Sequence, residues 1–147
     1  METIFESLTQ TAARLNDTAD AANALLREAN ERLATIGAGV SYTVRRFALR
    51  QELFSRYDED SDLQVDAGHD LHVLCYGKIY GTWQIGIQIQ HYKPGTSGIA
   101  DDYDLVGAEE EPVLNADREL RIKAASMLPD FLRAYTEHLA KLSDELK

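Results

Sequence analysis

The residues with the most chemical potential in this 147-residue sequence cluster in its middle third. Asp58-Glu59-Asp60-Ser61-Asp62 alternates oxygen donors like the first half of an EF-hand calcium loop. The match stops where the cation would need it, because Leu63 stands in place of the turn glycine and His69 in place of the bidentate glutamate. These five residues therefore read as a solvated acidic loop. His69, Asp70 and His72 are metal-ligating residue types, yet neighbouring strand residues point to opposite faces and no fourth ligand is identifiable, so no metal is expected. The single cysteine, Cys75, excludes an internal disulfide. It falls in an apolar alternation and reads as a small hydrophobe, lacking the electropositive setting a nucleophilic thiolate requires. His91 and His138 have no legible partner, and the chain carries no nucleophile elbow, phosphate-cradling glycine loop or His-Glu-x-x-His helix. No cofactor is expected, and the chain reads as non-catalytic.

Charge supplies a second kind of chemistry. The net charge is −10, which argues against direct nucleic-acid binding, since affinity for phosphate backbones comes from clustered Lys and Arg. The acidity is local. Six acids lie between Tyr57 and Lys78 and seven between Lys93 and Arg118, with no base in either stretch; the remaining chain carries twelve acids and fifteen bases. Asp58, Asp60, Asp62, Asp101, Asp102, Asp104, Glu109, Glu110 and Glu111 are the candidate partner-binding residues, and a basic protein surface is the expected complement. No run approaches the ~20 apolar residues of a membrane span, and the N-terminus opens on an acidic residue where a signal peptide would be basic, so a cytoplasmic protein without membrane contact is expected.

These groups must be positioned by a small number of elements. Thr3-Ile4-Phe5-Glu6 has the form of a capping box, which predicts a helix from Thr3, and Gly37 and Gly39 end it after Ile36. With Phe5 as position a, the a and d places are Phe5, Leu8, Ala12, Leu15, Ala19, Ala22, Leu26, Ala29, Leu33 and Ile36, an unbroken apolar heptad seam. A helix of that length spans about 50 Å, more than a small domain is wide, so part of the seam needs a partner. A homodimer is expected, with Leu8, Leu15, Ala22, Leu26, Ala29 and Leu33 at its interface. Asn16, Asn23 and Asn30 recur at a flanking position and read as solvated.

Trp83, Ile85, Ile87 and Ile89 alternate with polar residues, and Leu71, Val73 and Cys75 do the same, predicting a β-hairpin over residues 71–92. A three-residue loop Ile79-Tyr80-Gly81 would pair Cys75 with Ile85, Val73 with Ile87 and Leu71 with Ile89; a two-residue turn at Tyr80-Gly81 would instead oppose apolar to polar residues. The first register is favoured, and it leaves His72, Tyr76, Gln84, Gln88 and Gln90 on the opposite face as an alternative small-ligand or hydrolytic site. Residues 40–49 read as a strand whose phase slip at Arg45-Arg46 marks a bulge or the strand's end, residues 93–114 as an acidic loop, and residues 115–146 as a helix capped by Asn115 with a kink or a break near Met127 to Pro129. The sum is one α+β domain: a long N-terminal helix, an antiparallel sheet of about three strands around a central hairpin, and a long C-terminal helix, with the helices on one sheet face. The functional expectation is a small accessory, adaptor or inhibitor protein that works through helix pairing and an acidic surface.

Overall fold

A computed structural model describes residues 1–97, 99 and 101–146. Two helices and a four-stranded antiparallel sheet divide into two compact units: a helical unit of residues 1–40 with 113–146, and a sheet unit of residues 41–112.

In the helical unit, α1 spans Glu2–Ile36 and α2 spans Arg118–Asp144. The expected capping box does not form, because the helix starts one residue earlier on Met1, which gives no side-chain cap. Helix propensity is high enough there that the acidic Glu2 in the first turn suffices. The C-terminal end is as expected: Gly37 takes the left-handed conformation (φ 62°) and donates its N–H to the Leu33 carbonyl at 3.0 Å. The α2 cap is Asp117, not Asn115, which sits in a preceding 3-10 turn at Val113–Asn115; the Asp117 carboxylate accepts from the Leu120 N–H at 2.9 Å. Of the kink or break expected near Met127 to Pro129, the break does not occur, since α2 is one helical span through Pro129. Leu120, Ala124, Leu128, Phe131 and Tyr135 are buried on both sides of the proline, and that packing outweighs its ~3 kcal/mol cost.

The two helices run side by side in the same direction. Arg118 donates to Asn16 at 2.8 Å, Arg121 donates to Asn23 at 2.9 Å, and the Tyr135 hydroxyl donates to the Val40 carbonyl at 2.5 Å. The asparagine stripe read as solvated is therefore a rail that sets the register of α2. Against α2 the seam of α1 buries Ala19, Ala22, Leu26, Ala29 and Leu33.

The sheet is a meander of β1 (Tyr42–Asp58), β2 (Leu63–Ile79), β3 (Thr82–Pro94) and β4 (Tyr103–Pro112), in spatial order β1-β2-β3-β4. It has one more strand than the sequence led us to expect. Within residues 93–114, expected to be a loop, Tyr103–Pro112 forms β4, and the first hairpin continues far beyond residue 49, closing only at Asp58–Leu63. The phase slip at Arg45-Arg46 is a bulge and not the strand's end, because the register shifts between Thr43 and Ala48 and pairing then continues.

The register of the central hairpin also differs. Tyr80 (φ 51°) and Gly81 (φ 81°) form a two-residue turn, which puts Tyr76 opposite Ile85, Cys75 opposite Gly86, Leu74 opposite Ile87 and Val73 opposite Gln88. Two consecutive positive φ angles give the turn whose twist suits adjacent strands. The favoured register assumed one buried face, whereas Leu71 through Gly77 are all buried, so apolar residues on both faces of β2 have cover. Gly86 is needed by this arrangement: a Cβ there would lie 2.1 Å from Ile79 Cδ1 and 2.7 Å from the Glu111 carbonyl oxygen.

Candidate functional site

The acidic segments are first of all turn-building material. Asp58 accepts from the Asp60 N–H at 3.3 Å and from the Ser61 hydroxyl at 2.9 Å, while Tyr57 donates to Asp62. Asp62 (φ 56°) and Asp101 (φ 65°) occupy left-handed positions that aspartate tolerates better than most residues. Asp102 accepts from the Ser97 hydroxyl, and its backbone carbonyl accepts from the Gly95 N–H at 2.7 Å.

The first acidic turn and the β3–β4 connection lie at one end of the sheet, opposite the Tyr80-Gly81 turn, and Tyr103 at the start of β4 donates its hydroxyl to Asp66. That bond lowers the pKa of Asp66 and raises that of Tyr103. Asp58, Asp60, Asp62, Asp101 and Asp102 thus share a sheet end. Glu109, Glu110 and Glu111 do not join them. They lie along the edge strand β4, opposite Ile89, Gln88 and Ile87, and alternate between faces. The nine acids therefore divide between the sheet end and the edge strand β4, where Asp104 pairs with Lys93 near the strand's start.

Each face of β4 brings one glutamate to a different side chain. On one face His91 sits between carboxylates from both neighbouring strands, 2.6 Å from Asp70 through Nδ1 and 3.1 Å from Glu109 through Nε2. The Asp70 hydrogen bond, reinforced by Glu109, raises the His91 pKa. On the other face the Cys75 thiol, cross-strand from Gly86, donates to Glu110 at 3.5 Å. Burial, and next the glutamate's negative charge, push this thiol well above its ordinary value, so it stays protonated and unreactive. Neither glutamate contact is legible in residue order, since both depend on β4, which composition marks as a loop.

The alternative ligand site separates. His72 and Tyr76 are cross-strand neighbours of Ile89 and Ile85 on one face, while Gln84, Gln88 and Gln90 pair with Gly77, Val73 and Leu71 on the other. The glutamines serve the strand itself: Gln84 donates to the Ile79 carbonyl at 3.0 Å, Gln90 donates to Gln88 at 2.7 Å and accepts from Tyr92 at 2.8 Å. His72 is buried with its Nδ1 unbonded and its Nε2 3.9 Å from Glu52. His69 stacks on Tyr92 at 4.9 Å and meets Tyr103 edge-on at 4.7 Å. Among the described residues no three His, Cys, Asp or Glu side chains are arranged to hold a metal ion.

The expected dimer interface divides at Ala19. Ala22, Leu26, Ala29 and Leu33 are buried within the single chain and are not available to a partner. Leu8 and Leu15 are available. Residues 1–18 are exposed without exception, and Ile4, Phe5, Leu8 and Leu15 leave 66%, 55%, 60% and 45% of their surface in solvent. Four large apolar side chains within twelve residues are thus exposed on one half of a helix, with Leu15 beside Arg118, Glu119 and Ile122 of α2, and they form a conspicuous apolar surface of the helical unit.

The chain matches no protein-family model, no characterised protein and no solved structure with which it was compared. No helix is long and apolar enough to cross a membrane.

Proposed function

We propose that this protein is a non-catalytic interaction module whose docking element is the N-terminal half of α1. The observation that carries the reading is the exposure of Ile4, Phe5, Leu8 and Leu15 on a continuous helical face. Helix-in-groove recognition uses such a face, with anchors spaced three, four and seven residues apart entering an apolar slot on the partner. The acids contribute solvation and turn geometry, and the run Glu109-Glu110-Glu111 on an edge strand opposes strand addition by another chain through like-charge repulsion. The small-ligand reading has no support from geometry, because its five residues lie on two faces.

The test is a photo-reactive phenylalanine analogue at Phe5, with the same analogue at Ala13 on the polar side of the helix as control. A discrete protein adduct from position 5 and none from position 13 is the expected result. Equal yields from both positions, or no adduct from either, would overturn the proposal.

A further inference from the structure

Near the acidic end of the sheet, Leu53, His69, Tyr92 and Leu105 are successive cross-strand partners, so they form one row across all four strands on a single face. Tyr103, two residues before Leu105, shares that face. It meets the His69 ring edge-on at 4.7 Å, and Tyr92 stacks on the same ring at 4.9 Å. The centre of the row is packed and its ends are not. His69 is buried, whereas Leu53 on β1 and Leu105 on β4 are 77% and 56% exposed. An exposed apolar stripe rimmed by polar groups marks an interaction surface.

We infer that this stripe docks a cationic amphipathic helix of another protein, with the helix's apolar side on Leu53, the aromatic centre and Leu105 and its Lys or Arg residues toward the acidic turns. The surface belongs to the sheet unit, and the inference stands independently of the docking role of α1.

Charge selects the partner. Asp58, Glu59, Asp60 and Asp62 lie at the β1–β2 turn, and Asp101 and Asp102 lie in the β3–β4 connection at the same end of the sheet. Among the described residues none of these six is held in an ion pair. The bonds they accept come from uncharged donors: the Ser61 hydroxyl and the Asp60 N–H on Asp58, Tyr57 on Asp62, and Ser97 on Asp102. Such bonds shape the turns and leave each carboxylate its charge. Arg45 reaches the Tyr92 ring, 5.2 Å from its centre, from the β1 bulge on the side of the row away from the turns. The rim field therefore attracts a cationic polypeptide and repels nucleic-acid phosphates and anionic lipid.

Size selects a helix. Three interstrand spacings set the two leucines about 14 Å apart, a distance an α-helix covers in about nine residues. Anchors four residues apart on one helix face then meet Leu53, the aromatic centre and Leu105 in turn.

The probe is a synthetic amphipathic helix of Leu and Lys, about fourteen residues long, beside a scrambled peptide of the same composition. Fluorescence anisotropy should show the helical peptide binding about tenfold tighter than the scrambled one. Combining Leu53→Ser with Leu105→Ser should remove that advantage. Both leucines are exposed, so the unfolding midpoint of this variant should match the wild type, which separates a lost contact from a lost fold. Glu59→Gln, Asp60→Asn and Asp101→Asn together should slow association and flatten its salt dependence. Phe54→Ser, on the opposite face of β1, should leave binding unchanged. Equal binding of the two peptides, no binding of the helical one, or an affinity untouched by the leucine pair would overturn the inference. So would an equal loss from Phe54→Ser, or a loss caused by Leu8→Ser and not by the leucine pair, which would assign the peptide to α1.

Discussion

The N-terminal half of α1 and the middle of β2 are opposites in how pattern relates to burial. Residues 4–15 of α1 repeat apolar residues with heptad regularity and bury none of them. Residues 71–77 of β2 mix Leu, Val and Cys with His72 and Tyr76, and bury all of them. Periodicity records which side chains share a face. Whether that face is covered depends on how many elements surround it. β2 has a hydrogen-bonded strand on each side and cover on both faces, whereas α1 outruns α2, which begins beside Asn16.

The largest effect that would break this contrast lies in the sheet and the buried half of the seam. Ile87→Ala and Leu26→Ala each remove a side chain with no exposure and should cost about 2–5 kcal/mol, read from urea unfolding. Leu8→Ala should fall within ~0.5 kcal/mol of the wild type. Similar losses at Leu8 and Leu26 would mean that the first half of α1 is covered within one chain.

A smaller effect probes the crowding of β2. Gly86→Ala places a methyl group against Ile79 and the Glu111 carbonyl, and should destabilise by about 1–3 kcal/mol through forced displacement of β4. It should also open the Cys75 site, so that the thiol, inert to a disulfide reagent in the wild type, reacts in the native variant. Unchanged reactivity would show that β4 does not shield it.

Asn23→Ala deletes the acceptor for Arg121 at the rail between the helices. About 1 kcal/mol is expected, with no counterpart for Asn→Ala at a solvated site. An unaffected unfolding midpoint would return the stripe to a solvated role.

The smallest effect is electrostatic. The folded-state pKa of His91 is raised by Asp70 and Glu109, so its stabilisation is complete below the unfolded value of about 6.5 and is lost as pH rises through the folded value. The sheet should therefore weaken modestly as the pH rises from about 6 through this range, and His91→Gln should flatten that part of the profile. Parallel profiles for wild type and variant would remove His91 as the cause. No such slope belongs to residues 1–18, which contain no histidine.

Much of the architecture was legible from residue order. Gly37 ends α1, the alternation of Trp83 to Ile89 makes a strand, and the phase slip at Arg45-Arg46 marks an irregularity in β1, because each is settled by neighbours in the chain. The longer reach of β1 and the existence of β4 were not legible. Asp, Glu and Gly are poor strand formers, and Leu105 to Glu111 become a strand only because β3 offers them a row of hydrogen-bond partners.

The sequence by itself determined the α+β class, the seam of α1 and the location of the acids, since helix period, strand alternation and charge are properties of local order. Tertiary structure alone decided that Tyr80-Gly81 turns in two residues, that His91 is held by Asp70 and Glu109, that Asn16 and Asn23 receive Arg118 and Arg121, and that the seam is covered only from Ala19 onward. Apart from the turn, whose length follows from the pairing of whole strands, each of these joins residues far apart in the chain. Local propensities of a fraction of a kilocalorie per residue do not fix such pairings; they are selected by the simultaneous burial and hydrogen bonding of whole elements.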